Sequence, residues 1–474
     1  MLFPVALPLI LAAIAFALPG QRQRPPVLLA GAALHSLGVL LFWLRPPAPQ
    51  LDGWLALDAP GKLVLTVTSL LFLACAVYSQ GYLERRIDRD NRVFVGGLLV
   101  LLSAMTVVAL SQHLGLLWVA IEITTLSTAP LIYFNHNALS LEAAWKYLLV
   151  CSLGIALALL GTFFLALSSA GPGGPHSLLV SDLVAAGPML SRPWVRAAFV
   201  FLLVGYGTKM GLAPLHSWKP DAYGEAPGIL GAILSGGVTS LAFLALVRIL
   251  HVSSAAGEGH FARESLVAMG LLSMALAAVF MVGQRDFKRM LAYSSVEHMG
   301  ILALGIGLGG AAASGAFFHM VANGLTKGVL FLAAGNIHRA FGSKLTDQVK
   351  GAAVRLPISG PLFLAGFLAI TGSPPFAPFF SELAILNGAF LGGHTVIGGL
   401  FLAFLAVIFV GMGTTVLGVV QGEPPDAEWN PGNGDSPLTA GPPLALMAAV
   451  LVLGLWVPRG LMALFDSAAS LIGG

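Results

Sequence analysis

The stretch Val204–Pro227 reads VGYGTKMGLAPLHSWKPDAYGEAP and places Lys209 near the end of a long apolar run, ahead of Gly211, Pro214 and His216. Proline removes a helical hydrogen bond and glycine weakens the helical turn, so this pattern predicts a helix that breaks just after Lys209. Inside a membrane, the backbone groups freed by such a break are tolerated only beside protein or a cavity. Because burial disfavours the charged form of a lysine, Lys209 could load and release a proton there. The simpler alternative is a lysine that extends from a helix end toward water.

A second apolar run is interrupted in the same way. Residues 369–388 read AITGSPPFAPFFSELAILNG, and the break precedes Glu382. The residues that break this run are Gly372, Pro374, Pro375 and Pro378. We therefore expect two broken helices, one in each half of the chain.

The composition places both breaks in a membrane protein. Of the 474 residues, 57% are hydrophobic and only 9% are charged, and the mean hydropathy is +0.88. This balance excludes a water-soluble fold, and apolar runs recur along the whole length, so residues 1–474 are interpreted as a single membrane domain. The net charge of +3 gives no indication of nucleic-acid binding.

Fourteen apolar runs have the length of membrane-spanning helices, and the fold class is therefore predicted to be all-α and polytopic. The first run, Leu2–Ala17, lacks a charged segment ahead of it and is interpreted as a helix rather than a cleaved signal peptide. The predicted spans are Leu2–Ala17, Val27–Leu44, Leu63–Tyr78, Val93–Leu110, Leu114–Phe134, Tyr147–Leu167, Val195–Pro214, Gly228–Leu250, Ser265–Val282, Met290–Leu308, Ala312–Ile337, Pro357–Phe380, Val396–Val420 and Gly441–Val457.

The cationic loops predict the orientation of these spans. Arginine and lysine cluster in alternate loops, which the positive-inside rule places in the cytoplasm. Those residues are Arg22, Arg24, Arg85, Arg86, Arg89, Arg92, Arg285, Lys288, Arg289, Arg339, Lys344, Lys350 and Arg355. The long loop Ser168–Pro193 is then external. The loop Gln421–Pro437 is cytoplasmic by parity although it is acidic, with Glu423, Asp426, Glu428 and Asp435.

Ionisable side chains inside apolar runs are the candidate functional residues, because a charge at the bilayer centre costs at least ~2.5–3.5 kcal/mol. Glu122 lies in the middle of the fifth span, and Glu297 and His298 lie in the tenth. In the eleventh span, His319, Asn323 and Lys327 are spaced four residues apart and share one helical stripe. A lone histidine is often only a core residue, but together these groups could pass protons along the membrane mid-plane.

The breaks also suggest an internal repeat. The seventh and twelfth spans are each the fourth helix of a five-helix group, the fourth to eighth and the ninth to thirteenth spans. Interrupted helices at corresponding positions are typical of repeat transporters and point to the ion pathway.

Four stretches resemble the antiporter-like proton-channel subunits of respiratory complex I, membrane-bound hydrogenases and Mrp-type sodium/proton antiporters, and most of all the hydrogenase-4 component F type. They are LLWVAIEITTLSTAPLI (116–132), LEAAWKYLLVCSLGIALALLGT (141–162), AYSSVEHMGILALGIG (292–307) and LTKGVLFLAAGNI (325–337). The resemblance implies two inverted five-helix repeats, a core of about residues 81–421 and broken helices 7 and 12. It also implies a glutamate–lysine pair at Glu122 and Lys209, with Lys327 and Glu382 in the second half-channel.

We therefore expect a proton-translocating set of Glu122, Lys209, His298, His319, Lys327 and Glu382, in which the two histidines follow from their positions and the other four also from the resemblance. Supporting roles fall to Lys146, His216, Asp221, Glu225, Glu297 and Asn323. Three departures stand out. Lys219 replaces the leucine of the motif HxWLPDAHxxAP, Ser240 stands where complex I subunits often carry a bridging lysine, and Asn323 stands where some relatives have histidine. A chain that ends at Gly474 also lacks the long lateral helix of the largest complex I subunit, which argues against that subunit.

The leading hypothesis is a non-redox, proton-translocating subunit of a respiratory or hydrogenase-type complex in a prokaryotic inner membrane, with other membrane and peripheral subunits as partners. The alternative is a subunit of a cation/proton antiporter or of an ion-gradient-driven uptake system, and a weaker one is a structural anchor with an inactive channel. Cys75 and Cys151 lie in apolar runs without metal-binding spacing, and no nucleotide, flavin or haem motif is present. We therefore expect no metal or cofactor in this chain, and any oxidoreductase activity would belong to the whole complex.

Overall fold

The structure, a computed structural model, describes residues 1–170, 176–424 and 431–473, and within these ranges the regular elements are helices. Asp426 and Glu428 of the acidic loop lie outside the described residues. The main helices are α1 (Leu2–Ala17), α2 (Arg24–Leu44), α3 (Ala59–Glu84), α4 (Arg92–Leu110), α5 (Leu114–Ile132), α6 (Ala138–Ser168), α7a (Arg192–Met210), α7b (Trp218–Glu225), α8 (Gly228–Ala255), α9 (Gly259–Met281), α10 (Phe287–Leu308), α11 (Gly310–Phe341), α12a (Ser359–Ile370), α12b (Ala377–Leu391), α13 (Thr395–Val420) and α14 (Pro437–Leu455).

The all-α, polytopic fold predicted from the sequence is confirmed. Among the described residues, eleven helices are long and apolar enough to cross a membrane. The other predicted spans fall short for physical reasons. Helix α1 has only 16 residues, α7a carries Arg192, Arg196 and Lys209, and the twelfth span is divided into pieces of 12 and 15 residues.

Several helices differ from their predicted ends. Helix α6 begins at Ala138 rather than Tyr147, because Asn137 and Ser140 form a reciprocal capping box ahead of the apolar run. Helix α3 begins at Ala59, after the Asp58 side chain accepts a hydrogen bond from the Gly61 amide. The twelfth span is broken as predicted, with one helix ending at Ile370 and the other running over Ala377–Leu391, past the predicted end at Phe380.

Three elements do not follow from the sequence patterns. Residues Ile233–Val238 of α8 form a π-helical segment. After α14, an amphipathic helix covers Arg459–Ser470, which is too short and too polar to be found as a span. A short helix, Val180–Ala185, also lies in the long loop that is predicted to be external.

Helices α8 and α11 occupy the centre of the bundle. In each, every residue of the most apolar window is buried, and α10 is nearly as buried. Helix α11 packs against α10, α12a, α12b, α14 and α3. Most of the ionisable residues singled out from the sequence lie on these central helices or on the two broken ones, so the fold gathers them inside the bundle.

The order of elements is the same in both halves of the core. Helices α4, α5 and α6 precede the break between α7a and α7b, and α9, α10 and α11 precede the break between α12a and α12b. Each half then closes with one continuous helix, α8 or α13. Because each group has an odd number of spans, the second group starts on the opposite side of the membrane, which is the inverted arrangement expected.

Candidate functional site

Hydrogen bonds within the protein stabilise the break in the seventh span. Helix α7a ends because Gly211 adopts a left-handed backbone conformation with φ of +83°. The amides of Gly211 and Leu212 donate to the Gly207 carbonyl at 2.7 and 2.8 Å. The indole nitrogen of Trp218, the first residue of α7b, donates to the Thr208 carbonyl at 2.9 Å. The helix end therefore needs no water to satisfy these carbonyls.

Close packing of α6 on α7a buries Lys209 at the end of its helix. A methyl group added at Gly205 would lie 2.6 Å from the Gly154 carbonyl oxygen, so the two backbones touch. Lys209 is 1% exposed. Its ammonium donates to the Thr125 hydroxyl of α5 at 2.9 Å and to the Tyr147 hydroxyl of α6 at 2.7 Å. The predicted burial of Lys209 at a helix break is thus observed.

Glu122 does not make the direct ion pair with Lys209 that the resemblance implied. Among the described residues, its hydrogen-bond partner is Ser152, whose hydroxyl donates to Oε1 at 3.0 Å. Its other oxygen, Oε2, is buried without a hydrogen-bond partner in the described part of the chain. Glu122 lies on the outer side of α5, half-buried beside α6.

The stripe on α11 lies at the centre of the bundle, as its spacing predicted. His319, Asn323 and Lys327 are fully buried. The Lys327 ammonium donates to the Ser294 hydroxyl of α10 at 2.7 Å. Neither atom of the Asn323 amide group has a hydrogen-bond partner among the described residues. Buried polar atoms of this kind are normally hydrated in proteins.

The two histidines join three helices. Nδ1 of His298 on α10 lies 3.0 Å from Nε2 of His319 on α11. Nδ1 of His319 lies 2.9 Å from the hydroxyl of Ser381 on α12b. On the other side, Nε2 of His298 lies 3.7 Å from a carboxylate oxygen of Glu297. The side chains form a continuous polar line from α10 to the second broken helix.

Glu382 ends this line beside a cavity. It follows Ser381 on α12b and is 5% exposed. The break ahead of it contains Gly372, whose φ is +69°, and a methyl group there would overlap Oε2 of Glu382. A cavity of about 300 Å³ between α12 and α13 is lined by Gly372, Glu382 and mostly apolar side chains. The break thus leaves space for the carboxyl group of Glu382 and places it at the wall of this cavity.

Asp221 and Glu225 form an ion-pair cluster at the two ends of α7b rather than part of the buried line. Asp221 pairs with Lys146 of α6 at 2.9 Å and with Arg289 of α10 at 3.2 Å. Glu225 pairs at 2.5 Å with Lys344, which follows α11. These contacts fix α7b against three other elements.

His216 lies in the connection between α7a and α7b. It is 8% exposed, and its ring packs near Phe280 and Tyr293. Its Nδ1 has no hydrogen-bond partner among the described residues. The structure therefore places His216 near the break but outside the hydrogen-bonded groups around Lys209.

The transmembrane family of NADH:quinone oxidoreductases and Mrp antiporters matches residues 111–409, which is more than half of the chain and contains both breaks. The chain belongs to this family. The resemblance stated from the sequence is thereby confirmed. The matched residues include the Lys209 pocket, the histidine pair and Glu382.

Individual relatives of this chain match most of its length. The hydrogenase-4 component F homolog of Methylacidiphilum infernorum (isolate V4) is 35% identical over 398 residues, which cover 81% of this chain and 82% of the relative. NADH-quinone oxidoreductase subunit N of Desulforudis audaxviator (strain MP104C) is 31% identical over 394 residues, covering 81% of this chain and 75% of the relative. A chain of respiratory complex I from Thermus thermophilus with bound aureothin has a TM-score of 0.77 and 26% identity, covering 96% of this chain and 97% of that one.

The antiporter-family fold brings one further lysine into the site. Lys219 of α7b is fully buried, and its ammonium donates to the Ser295 hydroxyl of α10 at 3.0 Å. The sequence showed it only as a departure from the family motif. Beyond that departure, the local sequence carries no signal that separates a buried lysine at this position from an exposed one.

One group of side chains in this antiporter-family chain has the composition of a metal site. Ligand atoms of His298, His319 and Glu382 lie within 4.8 Å of one another. The facing nitrogens of the two histidines are hydrogen-bonded to each other, and the buried Lys327 ammonium acts electrostatically on both rings. A divalent cation would face that positive charge, so the arrangement suits a proton better than a metal ion.

Proposed function

We propose that this chain is the non-redox, proton-translocating subunit of a respiratory or hydrogenase-type complex in a prokaryotic inner membrane. Protons move through the buried line of glutamate, lysine and histidine side chains, and electron transfer in partner subunits drives them. The observation that carries this proposal is that polar and ionisable groups are gathered on the two broken helices and the central helices of an otherwise apolar bundle.

Each group in this line can hold a proton in one state and release it in another. Lys209 is held by two hydroxyl groups, and Lys327 by one. The histidine pair can pass a proton between facing nitrogens, because each ring can donate at one nitrogen and accept at the other. Glu382 connects the line to the cavity between α12 and α13.

Partner subunits would supply the driving force. The relatives are named as a hydrogenase-4 component and as a subunit of an NADH-quinone oxidoreductase, and the chain contains no motif for a redox cofactor. Glu122 lies half-buried on the outer side of α5. A change of charge in a neighbouring subunit could therefore act on Glu122 and through it on Lys209, whose ammonium binds Thr125, one helical turn along α5 from Glu122.

The test is proton uptake by the intact complex reconstituted in lipid vesicles, followed with a fluorescent pH-gradient dye while electron transfer is recorded in parallel. Lys209→Ala should lower the rate of proton uptake at least tenfold. The variant chain should still insert into the membrane and assemble with its partners. Lys350→Ala, which removes an exposed lysine, is the matched control and should pump as the wild type does. Unchanged uptake by Lys209→Ala would remove Lys209 from the mechanism, and a wild-type complex that transfers electrons without proton uptake would overturn the proposal.

A second candidate function is cation/proton antiport without electron transfer, because the matching family also takes its name from Mrp antiporters. It is tested with the same vesicles in the absence of any electron donor. A sodium gradient that drives proton movement, and that Lys209→Ala prevents, would favour antiport. Proton uptake that requires the donor and does not respond to sodium favours the first proposal.

A further inference from the structure

The connection between the two half-channels is the part of the pathway that the motif residues leave open. By the resemblance stated above, Ser240 stands about where complex I subunits often carry a bridging lysine. In the structure, the Ser240 hydroxyl is buried and donates to the Gly236 carbonyl of its own helix at 2.8 Å. A serine that bonds within its own helix offers no group that can carry a positive charge between the halves.

Lys219 is placed where such a group is needed. It belongs to α7b, directly after the break that follows Lys209, and it is fully buried. Its side chain lies near the faces of Trp218 and Tyr223, with Nζ 6.0 and 5.9 Å from the two ring centres. Within the described ranges Lys219 makes no ion pair with a carboxylate. A buried ammonium without a counter-ion is costly in free energy, so its presence indicates a function.

The break in α7 makes room for this side chain. A methyl group at Gly211 would overlap Cε of Lys219 and lie 2.6 Å from its Nζ. Gly211 thus ends α7a and also leaves space for the Lys219 side chain. The first half-channel and Lys219 are also linked by packing, because Tyr147, which binds Lys209, contacts the ring of Trp218, the residue before Lys219, with ring centres 5.1 Å apart.

On its other side, Lys219 reaches the second half-channel. Its ammonium donates to the hydroxyl of Ser295, and the adjacent Ser294 accepts a hydrogen bond from Lys327 at 2.7 Å. The two lysines thus contact adjacent serines of α10, one from α7b and one from α11. They lie close enough for their charges to repel.

We infer that Lys219 is a relay residue that carries protons between the two half-channels and takes the place of the bridging lysine that α8 lacks. When Lys219 is protonated and Lys327 is neutral, a proton leaves the Lys219 ammonium and ends on the Lys327 amine. Lys219 becomes a neutral amine and Lys327 becomes an ammonium. Repulsion between the two positive charges keeps both from being protonated together, which favours movement of one proton at a time. This inference rests on the proposed function.

Two substitutions at Lys219 separate a relay role from a structural role. Lys219→Met keeps most of the apolar stem and removes the proton-carrying group. Lys219→Arg keeps a cation and hydrogen-bond donors, but a guanidinium group does not release its proton in proteins. Lys288→Met is the matched control, because Lys288 is also a buried lysine of this region and donates to the Ala226 carbonyl outside the pathway.

The measurement is the number of protons taken up per electron in vesicles that contain the intact complex, with assembly checked by co-purification of the partner subunits. We expect both Lys219 variants to lose proton uptake at least tenfold, and Lys288→Met to retain the wild-type ratio. Wild-type uptake in either Lys219 variant would overturn the inference. Should neither variant assemble, Ser295→Ala decides: a several-fold loss of uptake supports the relay, and an unchanged ratio overturns it.

The outcomes also distinguish this inference from the proposed function. If Lys209→Ala abolishes uptake but the Lys219 variants pump normally, only the bridging role of Lys219 is lost. If the wild-type complex shows no uptake at all, the proposed function fails first.

Discussion

His298 and His319 face each other across α10 and α11, with Nδ1 of the first and Nε2 of the second 3.0 Å apart. Both rings are fully buried. The outer nitrogen of His319 contacts Ser381 of α12b. One imidazole must donate and the other accept between the facing nitrogens, so a proton that moves across the pair reverses the direction of the hydrogen bond. Under the proposed function, the pair would therefore pass a proton in either direction.

His319→Gln should stop this transfer while leaving much of the hydrogen bonding in place. A glutamine amide can donate and accept, but it does not bind and release a proton near neutral pH. We expect at least a tenfold loss of proton uptake per electron in reconstituted vesicles, with normal assembly. Ser381→Ala is the milder control and should lower the ratio only a few-fold. Wild-type pumping by His319→Gln would show that the histidine pair is only a packing contact.

Glu382→Gln tests the end of the line at the cavity between α12 and α13. The substitution keeps the shape of the side chain and removes the group that can take up a proton. The rate of proton uptake should fall at least tenfold. Electron transfer should either continue uncoupled from proton uptake or slow together with it. Thr371→Ser, at the same cavity, is expected to pump normally. If Glu382→Gln pumps at the wild-type rate, protons enter or leave elsewhere in the second half.

The sequence predicted the placement of these second-half residues well because they follow a simple helical rule. His319, Asn323 and Lys327 share a stripe by their spacing alone, and a polar stripe on a helix as apolar as α11 has to face the interior. The break ahead of Glu382 was equally clear from glycine and proline. Lys219 was missed as a site residue because nothing in the local sequence tells a buried lysine on a short helix from an exposed one.

Distances between helices could not be predicted from the sequence either. Glu122 and Lys209 were expected to pair, but the hydroxyl groups of Thr125 and Tyr147 take the ammonium instead. That choice depends on how α5, α6 and α7a pack, which the close approach at Gly154 and Gly205 sets. Asp221 and Glu225 were likewise found to be anchors of α7b only from their partners.

Gly211→Ala should impair the protein more than the strained backbone conformation of an alanine would by itself. An alanine in the left-handed conformation costs roughly 1–2 kcal/mol, and here its methyl group would also overlap Cε of the Lys219 side chain. The control is Gly283→Ala, because Gly283 also has a positive φ, +74°, with nothing within 4 Å of an added methyl group. We expect a lower thermal unfolding temperature for both variants and a loss of proton uptake only for Gly211→Ala. Equal pumping by the two would show that the space beside Lys219 is not needed.

Glu122→Gln tests whether the outer carboxylate influences Lys209 without touching it. The substitution keeps a side-chain oxygen that can accept from the Ser152 hydroxyl, so the local packing should survive, but it removes a negative charge near the buried ammonium. Coupled turnover should slow several-fold because the protonated form of Lys209 is less favoured. Glu142→Gln, which removes an exposed carboxylate from α6, should turn over normally. Wild-type turnover in Glu122→Gln, with the same proton-to-electron ratio, would make Glu122 a structural residue of the contact between α5 and α6.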